Sequence, residues 1–292
     1  FAKDVCDRRF GVGADQVLVL GTSKKADFRM DIYNADGSQV EMCGNGLRCL
    51  TLFMLREGWL GELKAPGPTF AVSTEKYPVS VQIVSYAPDL NGQMKSAVVK
   101  TRLAAAKIEF VKKEISLAGG AVLATSVDMG NPHCVIFDCA GGGKGMIDWG
   151  GYPLDMPGGP SLSGKSQPEK KSSATSNLLA LSHEIQSLSL FPNGVNVEWV
   201  HLEAEDRVKV YVVERGCGPT LACASGAAAV VAAGVKEGLL KSQCCVILPG
   251  GELSVTCSDD QDGDPSGNYI ELTGDAEFVF SGCVPVADIT LG

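Results

Sequence analysis

Short runs rich in β-branched, aromatic and other apolar residues occur at Gln16 to Leu20 (QVLVL) and Asp27 to Tyr33 (DFRMDIY). Turn residues bound both runs, a pattern that predicts strands. The period then changes. Leu47, Leu50, Phe53 and Met54 recur at helical spacing between Gly44 and Glu57, and Gly58 follows, which predicts a helix there. Short strand-like runs come next at Thr69 to Thr74, Val79 to Val84, Ala97 to Thr101 and Ile108 to Val111. The later part of the chain repeats this plan. Asn196 to His201 and Arg207 to Val213 read as strands, Ser225 to Glu237 as an alanine-rich helix stopped by Gly238, and Cys245 to Leu248, Leu253 to Cys257 and Tyr269 to Leu272 as strands. The expectation is two similar domains of strands and one central helix each, residues 1–117 and 118–274, with the segment from about 275 to 292 packing back on the first. The second helix is so rich in Ala, Val and Gly that burial on most of its sides is expected.

Between the halves, residues 140–176 have little apolar content and hold GGGKG, MPGGPSLSGKS and QPEKKSSATS, which predicts a low-complexity, solvated insertion. Gly159 to Ser166 meets the spacing of a phosphate-binding loop, but no apolar strand precedes it and Gln167-Pro168-Glu169 starts no helix, so the nucleotide-binding reading is set aside.

Composition narrows the function classes. With 45% hydrophobic and 20% charged residues the chain can build a sizeable core. A formal charge of −9 argues against a nucleic-acid surface, because neutralising phosphates takes clustered Lys and Arg. The longest apolar run, Ala227 to Val235, is far short of the roughly 20 residues of a membrane helix, so a soluble protein without a membrane partner is expected. The 11 cysteines form no CxxC knuckle, which points away from a metal site and towards a reducing compartment. Phe1 to Arg9 reads like the interior of a protein, and a chain lacking its first strand is the expectation.

Two cysteines stand apart from the rest. Cys43 in MCGNGLR and Cys223 in LACASGA each follow an extended segment and open a helical one, with small residues just after the sulfur. A helix N-terminus offers unpaired N–H groups and the positive end of the dipole, which favour thiolate. Two such cysteines suggest an acid/base pair. The polar residues suited to surround them are Asn34 at one strand end, Asn131 and His133 in GNPH, Asn196 in FPNGVN, and Glu214-Arg215 at the end of another strand. Singly, the asparagines serve equally as turn residues and Glu214-Arg215 as an exposed ion pair. Their joint occurrence around matched cysteines favours a site for carboxylate and ammonium groups.

Taken together, DRRFGVGADQ (7–16), YNADGS (33–38), MCGNGLRC (42–49), GNPH (130–133), FPNGVN (191–196) and ERGCGPTLACASGA (214–227) resemble the diaminopimelate epimerase family in order and spacing. The resemblance implies an α+β fold of two pseudo-symmetric domains, each a mixed or antiparallel sheet or barrel wrapped around a central helix, with the active site in the cleft between them. It implies an isomerase of lysine biosynthesis, needing no cofactor and no metal, that interconverts LL- and meso-diaminopimelate. Cys43 and Cys223 match the two catalytic thiols, one removing the α-proton and the other returning it on the opposite face. Gln16, Asn34, Asn131, Asn196, Glu214 and Arg215 match substrate-holding positions. Gly44, Asn45, Ala224 and Ser225 follow the cysteines, where N–H groups can bind the α-carboxylate. His133 supports the thiols. A homodimer, in the cytoplasm or in a plastid stroma if a transit peptide has been lost, completes what the resemblance implies.

The sequence departs from the family in three places. Pro219 stands where many relatives have Glu, and Ala224 where most have Gly, so a Cβ would cost something if that position needs positive φ. The HGxGND-like opening segment of the family is absent, and were this chain to stand alone, weak folding of the first half and poor activity would be expected. Alternatives stay open at this point: a proline or hydroxyproline racemase of the same design, although MCGNG and ERG differ from that pattern, a catalytically impaired relative kept for binding, and a redox sensor that joins Cys43 to Cys223.

Overall fold

The computed structural model describes residues 1–61, 67–118, 120–138, 173–258 and 269–284, with the backbone alone at 173–177. The expected insertion therefore lies outside the described residues as far as 172, together with the loop-like segment at 159–166. Its last positions, 173–176, are not part of a loop; they open helix α3, Ser173–Gln186. No helix among the described residues is long and apolar enough to cross a membrane.

The chain divides into two compact units, Phe1–Leu103 with the stretch from Thr273 onward, and Ala104–Leu272. The boundary expected after residue 117 falls at the end of a strand of the second unit, Lys107–Leu117.

In the first unit, helix α1 (Ala2–Cys6) precedes strands β1 (Gln16–Gly21), β2 (Phe28–Asn34) and β3 (Gln39–Val40), helix α2 (Gly44–Arg56), and strands β4 (Thr69–Ser73), β5 (Pro78–Pro88) and β6 (Met94–Ala104). The strand order is β1-β2-β4-β5-β6, with β3 added to β2. The β1–β2 pair is antiparallel and places Gln16 opposite Asn34 and Leu18 opposite Ile32. Helix α2 then carries the chain to β4, which runs parallel to β2. Parallel neighbours need such a crossover, and a helix is the usual one.

The second unit contains β7 (Lys107–Leu117), β8 (Gly120–Asp128), β9 (Pro132–Phe137), α3, β10 (Asn196–Ala204), β11 (Arg207–Glu214), β12 (Gly218–Pro219), helix α4 (Ala224–Glu237), β13 (Gln243–Leu248) and β14 (Gly251–Ser258). Strand β15 (Tyr269–Glu277) begins here and ends in the first unit. The order is β15-β14-β13-β11-β10-β9-β8-β7, with β12 on β11.

The repeat expected from the hydrophobic pattern is present in detail. An antiparallel pair (β1–β2, β10–β11), a two-residue strand that folds back on it (β3, β12), a helix that opens after a cysteine, and a parallel return (β4, β13) occur twice.

Side-chain parity separates the faces of the second sheet. Cys134, Ile136, Val197, Trp199, Tyr211 and Val213 pack with Leu178, Leu181 and Ile185 of α3. The alternate positions, His133 on β9, Asn196 and Glu198 on β10 and Glu214 on β11, therefore belong to the opposite face, where α4 packs against β8, β9, β10, β13 and β14. Ala227, Ala228, Ala229, Val230, Val231 and Ala233 of α4 are all fully buried, as its composition predicts. Each fully buried valine contributes about 1.5–3 kcal/mol, and small residues on several sides let the helix lie close to strands on more than one flank. Gly238 ends it in the left-handed region at φ 71°. In α2 the sequence pattern is only partly right. Leu47, Leu50 and Met54 are buried, but Phe53 is 48% exposed, because six residues on from Leu47 lies about 120° round the helix.

Candidate active site

Both cysteines occupy the same local structure. Cys43 is the N-cap of α2 in an extended conformation (φ −145°, ψ 111°), and its sulfur accepts from the N–H of Gly46 at 3.3 Å. Cys223 is the N-cap of α4 (φ −127°, ψ 109°), and its sulfur accepts from the N–H of Gly226 at 3.4 Å. The first N–H groups of a helix have no intrahelical acceptor. Each sulfur takes the place usually held by a Ser or Asp oxygen, at the positive end of a helix more than three turns long. Glycine three residues after each cysteine admits what packs against that turn. A Cβ at Gly46 would stand 3.0 Å from Leu18 Cδ2, and one at Gly226 would stand 2.8 Å from Glu198 Oε1.

The two settings differ in charge. Around Cys43, which is half-buried, the nearest charged side chain on its own helix is Arg48, buried at 7% exposure. Its guanidinium donates from Nη2 to Asn45 Oδ1 at 3.0 Å and from Nε to the carbonyl of Asp275 at 3.1 Å. Nη1 has no hydrogen-bond partner among the described residues. Burial lowers the Arg48 pKa, against the attraction of Cys49, Cys43 and Asp275. Gln16 Nε2 donates to Asn34 Oδ1 at 3.0 Å, and Asn34 Nδ2 donates to Ser38 Oγ at 3.1 Å. Gln16 and Asn34 share a face with Leu18, Ile32 and Met30 by register, the face on which Leu18 meets α2.

Cys223 lies among carboxylates. Burial raises its thiol well above the ordinary value, Glu214 and Glu198 raise it further, and Ser225 and the Gly226 N–H act in the other direction. Burial likewise raises the Glu214 carboxyl, with Glu198 adding to it and Thr220 and His133 opposing it. Glu214 Oε1 accepts from Thr220 Oγ1 at 2.6 Å. His133 is fully buried, with Nδ1 2.6 Å from Glu198 Oε1 and Nε2 3.1 Å from Asn131 Oδ1. Asn131 Nδ2 donates to Ser225 Oγ at 3.4 Å, and Ser225 Oγ lies 3.5 Å from the Cys223 sulfur. Asn196 Oδ1 accepts from the N–H of Arg215 at 2.9 Å, and Arg215 Nη1 donates to the carbonyl of Asn193 at 2.5 Å. Gly194, at φ +70°, lets that loop pass beneath Arg215, since a Cβ there would stand 2.7 Å from Arg215 Cδ.

The residues singled out from the sequence divide between the two units. Gly44, Asn45, Gln16 and Asn34 belong to the Cys43 unit; Asn131, His133, Asn196, Glu214, Arg215, Ala224 and Ser225 belong to the Cys223 unit. Ala224 opens α4 without strain. Lys112 is the one described non-glycine residue with positive φ, so the Cβ at 224 costs nothing in backbone conformation. Pro219 pairs with Val213 in β12. Three residues went unrecognised in the sequence: Arg48, Glu198 and Thr220. Glu198 left a signal, as the one charged residue in the otherwise apolar run Val195 to Val200 apart from the polar Asn196. Arg48 left one too, on the buried side of a helix.

Comparison with known proteins places these residues in a family context. Residues 1–75 and 167–279 match the family model described as diaminopimelate epimerase. Among curated relatives, the chain is 34% identical over 290 residues to the diaminopimelate epimerase of Rippkaea orientalis, covering 95% of this chain and 86% of that one. It is 34% identical over 288 residues to the enzyme of the same name from Methanothermobacter thermautotrophicus, covering 97% and 87%. A chloroplastic diaminopimelate epimerase of Oryza sativa subsp. japonica is 33% identical over 287 residues, 96% of this chain and 71% of that one. Among solved structures, a probable proline racemase from Agrobacterium radiobacter matches with a TM-score of 0.64 at 16% identity over 97% of this chain and 80% of that one. A hydroxyproline epimerase from Agrobacterium vitis matches with a TM-score of 0.62 at 15% identity, over 95% and 78%. These two likenesses are of fold.

Proposed function

Because the chain belongs to the diaminopimelate epimerase family, we propose that Cys43 and Cys223 are the two groups that exchange the α-proton of diaminopimelate, one on each face of the carbon. The protein is an isomerase of lysine biosynthesis that converts LL-diaminopimelate to the meso form. The observation that carries the two-thiol reading is the matched pair of sulfurs, each capping a helix and each held by the third N–H of that helix.

The chemistry follows from what each unit supplies. A thiolate takes the α-proton, and the electron pair left on carbon is delocalised into the adjacent carboxylate. The first-turn amides of α2 and α4, at residues 44–45 and 224–225, suit that carboxylate because helix N-termini stabilise negative charge. A thiol on the other face then delivers its proton, and inversion results because donor and acceptor are different groups. Cys223 is suited to rest as the thiol, since burial, Glu214 and Glu198 all disfavour its charged form. Cys43 then takes the complementary part of the base, at the N-terminus of α2 and attracted by the Arg48 guanidinium. Glu214 and Arg215 would take the ammonium and carboxylate of the substrate, with Asn34, Asn131, Asn196 and Gln16 as hydrogen-bonding partners.

Proline-type racemase chemistry, the alternative left open by sequence, has support only in fold likeness at 16% and 15% identity, whereas relatives at about a third identity carry the diaminopimelate name. A homodimer is the proposed assembly, and the chloroplastic rice relative makes a plastid as suitable a location as the cytoplasm.

Incubation with LL-diaminopimelate in deuterated water under reductant tests the scheme. The wild-type chain is expected to invert the α-carbon with incorporation of deuterium. Cys43→Ser and Cys223→Ser should each lose inversion by about 10²–10⁴-fold, the usual worth of a positioned acid or base. Undiminished inversion by either variant overturns the two-thiol reading, and exchange with proline in place of diaminopimelate overturns the substrate.

A further inference from the structure

The carboxylate of Glu198 is fully buried on β10, and its Oε2 has no hydrogen-bond partner among the described residues. A buried carboxylate with a bare oxygen costs several kcal/mol unless something holds it there. Its one side-chain hydrogen bond, 2.6 Å from Oε1 to His133 Nδ1, begins a chain. Because Asn131 turns Oδ1 to His133 Nε2 and Nδ2 to Ser225 Oγ, Nε2 must carry the hydrogen in its bond to Oδ1. Ser225 Oγ, already accepting from Asn131, keeps its own hydrogen for the Cys223 sulfur 3.5 Å away. We propose that Glu198 is a positioning residue for Cys223: by engaging Nδ1 of His133 it makes Nε2 the donor and so aligns His133, Asn131 and Ser225 into one directed chain whose last hydrogen points at the sulfur. The proposal rests on Cys223 being a reacting thiol, and it gives the buried carboxylate a task that neither packing nor substrate contact supplies.

Reach, and not charge, is what this role requires. The contact between Nδ1 and Oε1 holds one hydrogen, and the chain keeps its direction whichever atom carries it. An amide in place of the carboxylate can donate its NH₂ to Nδ1, which keeps the hydrogen on Nε2 and the chain intact. Shortening the side chain by one methylene draws the carboxylate back by about 1.5 Å. Nδ1 then lies beyond hydrogen-bonding distance, and the chain loses its direction. The ionisable groups facing this carboxylate are His133 on β9, Glu214 on β11 and Cys223 on α4, Cys134 feels it from the other face of the sheet, and both variants leave all of them in place.

The test is the rate of alkylation of Cys223 by iodoacetamide across pH 7 to 10, read by peptide mass spectrometry, with Cys43 in the same molecules as the internal reference and no substrate present. Glu198→Asp is expected to slow Cys223 labelling at least about tenfold at a given pH, the worth of one hydrogen bond to a charged group. Glu198→Gln, which keeps the chain and removes a carboxylate that helps hold the Cys223 thiol up, should label no more slowly than wild type, and neither variant should move Cys43. Adding Ser225→Ala to Glu198→Asp should slow Cys223 little further, because the chain is already broken. Glu198→Asp labelling like wild type, with only Glu198→Gln shifted to lower pH, would show that Glu198 acts by charge alone and would overturn the proposal. So would equal slowing at both cysteines, which marks general loosening of the fold. Inversion of diaminopimelate by the wild-type chain is measured separately, so failure here leaves the two-thiol scheme standing.

Discussion

Glu198 Oε1 and the α-carbon of Gly226 are so close that a Cβ built on residue 226 would stand 2.8 Å from the oxygen. The same Cβ would lie 3.3 Å from the Cys223 sulfur. Glycine at this position thus allows the first turn of α4 to rest directly on the buried carboxylate.

Gly226→Ala is therefore expected to destabilise the second unit by about 1–3 kcal/mol, the ordinary cost of overpacking, despite the better helix propensity of alanine. Its counterpart Gly46→Ala should fall within about 1 kcal/mol of wild type, because the atom in its way is a terminal methyl of Leu18 that can rotate aside, and alanine regains about 1 kcal/mol in helix propensity. Urea denaturation of both variants checks the contrast; equal losses would refute it.

Glu214→Gln removes a negative charge that pushes the Cys223 thiol up. Labelling of Cys223 should then begin at lower pH than in wild type. Epimerisation should fall all the same, by about 10²-fold or more in kcat/KM, because a proposed contact to the substrate ammonium is lost. Stopped-flow alkylation beside steady-state assays separates the two effects. A shift of Cys223 to higher pH would contradict the electrostatic account.

Stability should respond to alkaline pH through the same thiol. Its folded-state value is raised by burial and by Glu214 and Glu198, so the unfolded chain releases that proton first. Below the ordinary thiol range, about 8.5, this group contributes no pH dependence. As pH rises through that range stability falls, and burial of Cys134 and Cys244, the latter pushed up to about 12, adds to the slope. Cys223→Ala should be less stable at neutral pH, having lost its cap, yet show a shallower alkaline decline. A decline as steep as that of wild type would remove Cys223 from the account.

On the opposite face of β10, the indole N–H of Trp199 donates to Ser182 Oγ at 2.9 Å, both side chains being fully buried. Ser182→Ala strands that donor and is expected to cost about 1–3 kcal/mol. The labelling rates of Cys223 and Cys43 should be unchanged, since the perturbation lies among the α3 contacts. Thermal melts and alkylation together test whether the two faces act independently.

Much of the site was legible because its residues stand at punctuation points. Cys43 and Cys223 precede helices whose period and glycine stops are plain in the sequence, and Asn34, Asn131, Asn196 and Glu214 lie at or beside strand ends. Strands β8 and β9 were harder. The short apolar run CVIF of β9 reflects burial on both faces and lacks the alternation of half-exposed strands, and β8 (GAVLATSVD) mixes small, polar and apolar residues without a clear period. Helix α3 was hidden because its opening residues continue a Ser-, Thr- and Ala-rich tract, and its apolar stripe becomes clear only from Leu178 onward.

Arg48 and Glu198 mark the limit of such reading. A charged residue inside an apolar run shows as an anomaly, but its partner is chosen by sheet register and helix placement. Asn196 pairs in parallel with His133 across more than 60 intervening residues, and nothing local to either segment specifies that neighbour. The sequence by itself determined the repeat, the two capped helices and the family, because period, capping and turn chemistry are properties of a few adjacent residues. Only the tertiary structure decided that Cys223 is set among carboxylates and that Glu198 reaches His133. Both arrangements come from side chains far apart in sequence meeting on one face of a sheet, where burial makes each charge felt strongly by its neighbours.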